Sequence, residues 1–207
     1  MLDWSQIIFF RDQIHQRYPH IWDLKLTKRP SRFIKSHLRP GMRILDVGAG
    51  DRRMEQWVNK VTPDSIYKSM DIDHGFPHDY YSLDEINEQF DLITLLEVIE
   101  HLELEAGVEM LGRLMELLVQ GGKLIISTPN IFHPNRFWQN VTHKVAYSYE
   151  ELGGILLSKG FDVVGIYRTF NASFLKYMLR IILFYPLHRI LNVDFAKSIV
   201  ILAQRKG

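Results

Sequence analysis

Apolar positions along the chain follow two rhythms. Short apolar runs bounded by polar turns read as buried strands at 42–47 (MRILDV), 66–72 (IYKSMDI), 90–96 (FDLITLL), 123–128 (KLIIST), 161–167 (FDVVGIY) and 198–204 (SIVILAQ). Helical spacing fills the intervals. Leu, Val and Met recur at steps of three and four from 104 to 119, and Gly121-Gly122 reads as the stop of that helix. Residues 52 to about 60 fit a shorter helix that ends before Pro63. Ser148 followed by Glu151 is a capping-box pattern for a helix that stops at Gly160. Residues 1–40 read as helical additions, with Pro30 suited to a first helical turn. The opening segment, with Asp3 before a short apolar run and no basic leader, reads as an amphipathic helix rather than a signal peptide.

Repeated strand-helix-strand units predict an α/β domain with a mainly parallel sheet. The 207 residues suit one domain, 1–207, and no linker or internal repeat interrupts them. With 46% hydrophobic and 24% charged residues the composition is that of a soluble globular protein, which excludes long disorder. The lack of cysteine excludes a disulfide scaffold, thiol catalysis and cysteine-ligated zinc, and fits a reducing cytoplasm. A net charge of +1 gives no broad attraction to nucleic acid, so a nucleic-acid partner is not expected. No stretch reaches the roughly 20 uncharged apolar residues of a spanning helix. The nearest approach, 174–193, is broken by Lys176, Arg180, Pro186 and Arg189.

The densest chemistry lies in ILDVGAGD, 44–51, a buried strand that ends in a glycine turn and leads into a helix. Gly48 and Gly50 permit a tight turn and a close backbone approach to a ligand. Asp71 ends the next strand about 20 residues on, where nucleotide-binding α/β folds place an acid against ribose hydroxyls. Residue 53 is Arg, so the dinucleotide pattern G-x-G-x-x-G is broken, which disfavours a nicotinamide oxidoreductase. Asp46, just before the glycines, would repel a pyrophosphate and attract an ammonium group. Those charges point to a cationic nucleoside such as S-adenosylmethionine.

ILDVGAG (44–50), MDID (70–73), FDLITLLEVIEHL (90–102), GGKLIISTPN (121–130) and SYEELGGILLSKGF (148–161) appear in the order found in class I S-adenosylmethionine-dependent methyltransferases, which the chain resembles from about 30 to 168. The resemblance implies a Rossmann-like seven-stranded, mainly parallel sheet with helices on both faces and an antiparallel last strand, the third strand being short or missing here. It implies that Asp46, Gly48 and Gly50 hold the methionine part of the cofactor and Asp71 the ribose. Asp79 and Leu83, within 78–83, are candidates for the adenine side, and Leu96 and Glu97 complete the cofactor set. Arg52 stands where many relatives have a third glycine.

Glu97, Glu100 and His101 follow the 90–96 run at a spacing that places them on one helical face. Two carboxylates and an imidazole so arranged can bind a divalent cation or supply a general base. The stretch resembles ubiquinone-biosynthesis O-methyltransferases and small-RNA 3′-terminal 2′-O-methyltransferases. The second resemblance implies a metal, Mg²⁺ or Mn²⁺, held by Glu97, Glu100, His101 and a later histidine. His143 fits that place, with His133 as a second candidate. The alternative is that Glu97 and His101 shape the cofactor pocket without a metal. His101 and His143 are the candidate catalytic bases.

Residues 168–193 carry Arg168, Lys176, Arg180 and Arg189, no acid, and many Phe, Leu, Ile and Tyr. This apolar, basic helical insertion precedes the last strand. It can cover an apolar substrate, lie on a membrane surface, pack on a second subunit, or pack on its own domain. The expected function is methyl transfer to oxygen of a small or lipid-like acceptor. The alternatives are metal-dependent RNA-end 2′-O-methylation and S-adenosylmethionine binding without catalysis.

Overall fold

The computed structural model describes residues 4–27, 29–170 and 189–206, with isolated positions 173, 175, 176, 178, 179 and 182. The strands are β1 (Lys25–Thr27), β2 (Arg43–Val47), β3 (Ile66–Met70), β4 (Phe90–Leu96), β5 (Leu118–Pro129), β6 (Phe161–Thr169) and β7 (Ser198–Arg205). The helices are α1 (Trp4–Arg17), α2 (Pro30–Lys35), α3 (Arg53–Val61), α4 (Leu104–Leu117) and α5 (Tyr149–Ser158). The seven strands form one sheet in the order β1-β6-β7-β5-β4-β2-β3. All neighbours are parallel except β7, which runs antiparallel to both β5 and β6.

Alternation along the strands divides the core between the two faces of the sheet. Leu45, Val47, Ile93, Leu95, Leu124, Ile126 and Ile201 pack with α4, α5 and Ile7 and Ile14 of α1. Ile44, Leu92, Ile125, Val200 and Leu202 pack with Phe33 and Ile34 of α2 and Met54 and Val58 of α3. On the first face α1 lies very close to α5, because a β-carbon on Gly154 would sit 2.7 Å from the Arg11 amide nitrogen.

Ser148 caps α5 through the expected reciprocal bonds with Glu151, and Pro30 takes the first turn of α2. The expected weak third strand is a single parallel bridge between Tyr80 and Met70.

Two expectations change. The segment 1–40 is not wholly helical, because Lys25–Thr27 pairs with Tyr167–Thr169 and becomes the edge strand that completes the seven. Three residues at an edge carry too little periodicity to be legible as a strand. Gly121-Gly122 does not end α4. The helix ends at Leu117, and Leu118 is already paired with Phe90. The register then jumps to Leu92 opposite Lys123, so the two glycines sit in a bulge within β5.

Arg168 is buried at the end of β6. It donates to Asp194 at 3.0 Å and to the Leu24 carbonyl at 3.1 Å, and its guanidinium lies over the Trp22 ring. Asp194 also accepts from Asn130 Nδ2 at 2.8 Å. This clasp ties the base of the 168–193 insertion to the loop after β5.

Candidate active site

The carboxyl ends of β2, β3, β4, β5 and β6 share one end of the sheet with the start of β7, as the pairing of Pro129 and Thr169 with Ser198 requires. The loops at this end carry the site, as parallel α/β sheets dictate. Gly48 (φ +74°) donates to the Met70 carbonyl at 2.8 Å, and Gly50 (φ +52°) donates to Asp71 Oδ2 at 2.8 Å. A β-carbon on Gly48 would overlap the Val98 side chain, so residue 48 must be glycine on steric as well as torsional grounds.

Asp46 is buried, and its oxygens accept hydrogen bonds from Tyr67 Oη and Thr94 Oγ1, both at 2.8 Å. Burial raises its pKa to about 6 despite those two donors, with the Asp71 charge adding to the rise. The same burial, then the Asp46 charge, pushes the Tyr67 phenol upward. Asp46, Gly48 and Leu96 line a cavity of about 430 Å³ with Arg29, Met54 and Trp57. Thr94 stands opposite Asp46 in the sheet register, a relation no linear pattern displays.

Arg52 occupies the left-handed region (φ +59°), the conformation a glycine would adopt without penalty. Its guanidinium grips Glu55 through two bonds of 3.0 and 3.1 Å and donates to the Pro77 carbonyl at 2.8 Å. It also reaches Asp79 Oδ2 at 3.4 Å. Asp79 is held by the Ser69 amide, the Ser69 hydroxyl and Lys68 Nζ at 3.0–3.1 Å. Burial opposes its ionisation, but these donors outweigh burial and leave its pKa lowered. The structure therefore engages Asp79 in bracing the loop after β3. Leu83 lies in a short 3-10 turn and packs against the core.

The end of β4 turns sharply at Glu97, which has φ +54°. Glu97 accepts from Ser127 Oγ at 2.9 Å and pairs with Arg136 at 3.6 Å. Glu100 is fully buried, and neither carboxylate oxygen has a well-aligned hydrogen-bond partner, although Thr128 stands nearby. Burial, then the Glu97 charge, pushes Glu100 up to about 8. The Glu100 carbonyl accepts the Lys144 amide at 2.7 Å and so draws the later segment onto the turn after β4.

That contact brings His143 to His101. Ligand atoms of Glu100, His101 and His143 all lie within 4.8 Å of one another. His143 Nδ1 faces the Phe137 carbonyl at 2.7 Å, and His101 Nδ1 faces Thr142 Oγ1 at 2.8 Å and the Thr142 carbonyl at 3.3 Å. A carbonyl only accepts, so both neutral imidazoles carry their proton on Nδ1 and present a lone pair at Nε2. Glu97 stands outside this trio among the described residues, directed to Ser127 and Arg136. His133 is also outside it and packs edge-on against Phe195. Sequence reasoning missed Thr142 and Arg136, which gain their places only through the fold of the loop after β5.

A family model described as a methyltransferase domain matches residues 15–166. The chain belongs to this methyltransferase family. Its fold is shared by an S-adenosylmethionine-dependent methyltransferase from Archaeoglobus fulgidus, at 19% identity and TM-score 0.66, covering 84% of this chain and 94% of that one. It is also shared by magnesium protoporphyrin IX methyltransferase of Synechocystis PCC 6803 with bound S-adenosylmethionine, at 16% identity and TM-score 0.55, covering 85% and 76%. Phosphoethanolamine N-methyltransferase 2 of Haemonchus contortus, in complex with S-adenosylmethionine, shares it at 13% identity and TM-score 0.60, covering 82% and 50%. No curated protein matches the chain in sequence. In this methyltransferase the glycine turn, Asp46 and Asp71 gather at one end of the sheet, the end that also carries the Glu100–His101–His143 trio.

Proposed function

We propose that this methyltransferase moves the methyl group of S-adenosylmethionine to a hydroxyl oxygen of a small or lipid-like acceptor, with a divalent cation, Mg²⁺ or Mn²⁺, held by Glu100, His101 and His143. The observation that carries the reading is the trio itself: a buried carboxylate without well-aligned donors beside two imidazoles bonded through Nδ1, with His143 Nε2 lying 4.0 Å from Glu100 Oε1. One carboxylate and two imidazoles fit a first-row divalent ion with open positions for an acceptor. The Nδ1 bonds to Phe137 and Thr142 are the outer contacts that orient metal-binding histidines. When bound, such an ion lowers the pKa of a hydroxyl coordinated to it.

Asp46, Gly48 and Gly50 would seat the methionine half of the cofactor and Asp71 the ribose. The acceptor oxygen attacks the methyl carbon, the carbon–sulfur bond breaks, and the sulfonium leaves as a neutral thioether. Without the ion the acceptor proton would pass to Nε2 of His101 or His143; with both imidazoles holding the ion it would be released to water. Alignment of oxygen, carbon and sulfur supplies most of the acceleration, because the methyl is already electrophilic.

Calorimetric titration with S-adenosylmethionine, with NAD as control, followed by Mn²⁺, tests the reading. Wild-type protein should bind S-adenosylmethionine but not NAD, and then take up one Mn²⁺. Glu100→Gln and His143→Ala should weaken Mn²⁺ binding roughly 10-fold or more while sparing cofactor affinity. Absence of Mn²⁺ binding with the cofactor bound would remove the metal. Absence of cofactor binding by folded protein would remove the methyltransferase activity.

A further inference from the structure

We infer that the 168–193 insertion seats the protein on an anionic lipid surface, with the active-site end of the sheet turned toward the membrane. The inference builds on the lipid-like acceptor proposed above. Positions 175, 176, 178, 179 and 182 have helical backbone, as do 189–191, and Asn192 (φ +51°) follows in the left-handed conformation that ends a helix. Leu175, Leu179 and Ile182 fall at i, i+4 and i+7, within one narrow arc of a helix. They are 70%, 50% and 68% exposed, and Ile190 is 78% exposed. Large aliphatic side chains repeated on one helical face and left in water mark a surface that something else covers.

Charge selects the occupant. Between 168 and 193 the sequence has no Asp or Glu. Arg168 is spent on the buried pair with Asp194, and the other basic residues that the sequence places in the insertion are Lys176, Arg180 and Arg189. Lys176 and Arg189 are exposed. Apolar side chains flanked by cations without acids match the headgroup boundary of an anionic bilayer.

Topology selects the orientation. The insertion leaves the sheet at Thr169 and returns at Ser198, beside Pro129 at the end of β5. Trp138 and Val141, on the loop that rises from that same end, are 79% and 98% exposed. Lys176, Arg180, Pro186 and Arg189 interrupt the apolar run 174–193, a pattern that suits contact with a membrane surface rather than a span.

Vesicle sedimentation of the whole protein is the test. It should pellet with vesicles of mixed phosphatidylglycerol and phosphatidylcholine, bind pure phosphatidylcholine at least 10-fold more weakly, and dissociate as salt rises. The triple variant Leu175→Glu, Leu179→Glu, Ile182→Glu and the double variant Lys176→Gln, Arg189→Gln should each lose about 10-fold or more in vesicle affinity. Calorimetry with S-adenosylmethionine should be unchanged in both, which separates this inference from cofactor binding and from misfolding. Wild-type protein that stays in the supernatant would overturn the proposal, as would an exposed-basic variant that binds like wild type. So would a wild-type dimer that the triple variant converts to monomer, since a second copy would then cover the face.

Discussion

Asp71 Oδ2 accepts the Gly50 amide at 2.8 Å, so the acid ending β3 shapes the turn that ends β2. Its other oxygen accepts the Asp73 amide at 3.0 Å. A carboxylate offers about four lone-pair sites, which leaves capacity for a ribose diol. Asp71→Ala should weaken S-adenosylmethionine binding about 10- to 100-fold, the worth of one or two charge-assisted hydrogen bonds. An unchanged calorimetric Kd would place the ribose elsewhere.

Gly48→Ala meets two penalties, a positive φ and the Val98 side chain. The first costs about 1 kcal/mol and the second about 1–3 kcal/mol. Val98→Ala clears the space but leaves the torsion. In urea unfolding, Gly48→Ala should therefore cost less on a Val98→Ala background than alone. Strict additivity would mean that the two residues do not touch.

Asp46 titrates near 6 in the folded chain against an unfolded value near 3.8. Between these values the folded state holds a proton that the unfolded state has released, so stability falls as pH rises through the window. The Asp46 share of the fall should be about 3 kcal/mol, and Asp46→Asn should flatten the profile by that amount between pH 4 and 7 in urea unfolding, while the share of Glu100, raised to about 8, remains. A cationic amine beside Asp46 favours the carboxylate. Cofactor affinity should accordingly tighten as pH rises through about 6 in wild type and stay flat in the variant.

Asp194→Ala leaves the Arg168 guanidinium buried without its counter-ion. Loss of one partner from a buried pair costs about 3–5 kcal/mol, which in a chain of this size lowers Tm by roughly 6–20 °C. An apolar replacement of both residues, Arg168→Met with Asp194→Leu, should recover much of that loss. A Tm unchanged by the single substitution would show that the clasp contributes nothing.

The local elements were legible because their causes are local. The run RILDV followed by Gly48 and Gly50 could only be a buried strand and a tight turn, and the bonds of Ser148 and Glu151 span three residues. The spacing of Asp71 from the glycines placed it correctly at the end of the neighbouring strand. The parallel sheet followed from the alternation of elements.

What tertiary structure alone decided are the relations between distant segments. Lys25–Thr27 is a strand only because β6 offers an open edge. Arg52 tolerates a left-handed backbone while its guanidinium braces Glu55 and the Pro77 carbonyl. Glu97 shares the helical spacing of Glu100 and His101 in the sequence, yet the turn at residue 97 breaks that helix and sends its carboxylate to Ser127. His143 reaches Glu100 because the Lys144 amide bonds to the Glu100 carbonyl across more than forty residues of chain. Periodicity records which face a residue takes within its own element. It carries no information about which elements meet, and that is settled by burial of the whole core at once.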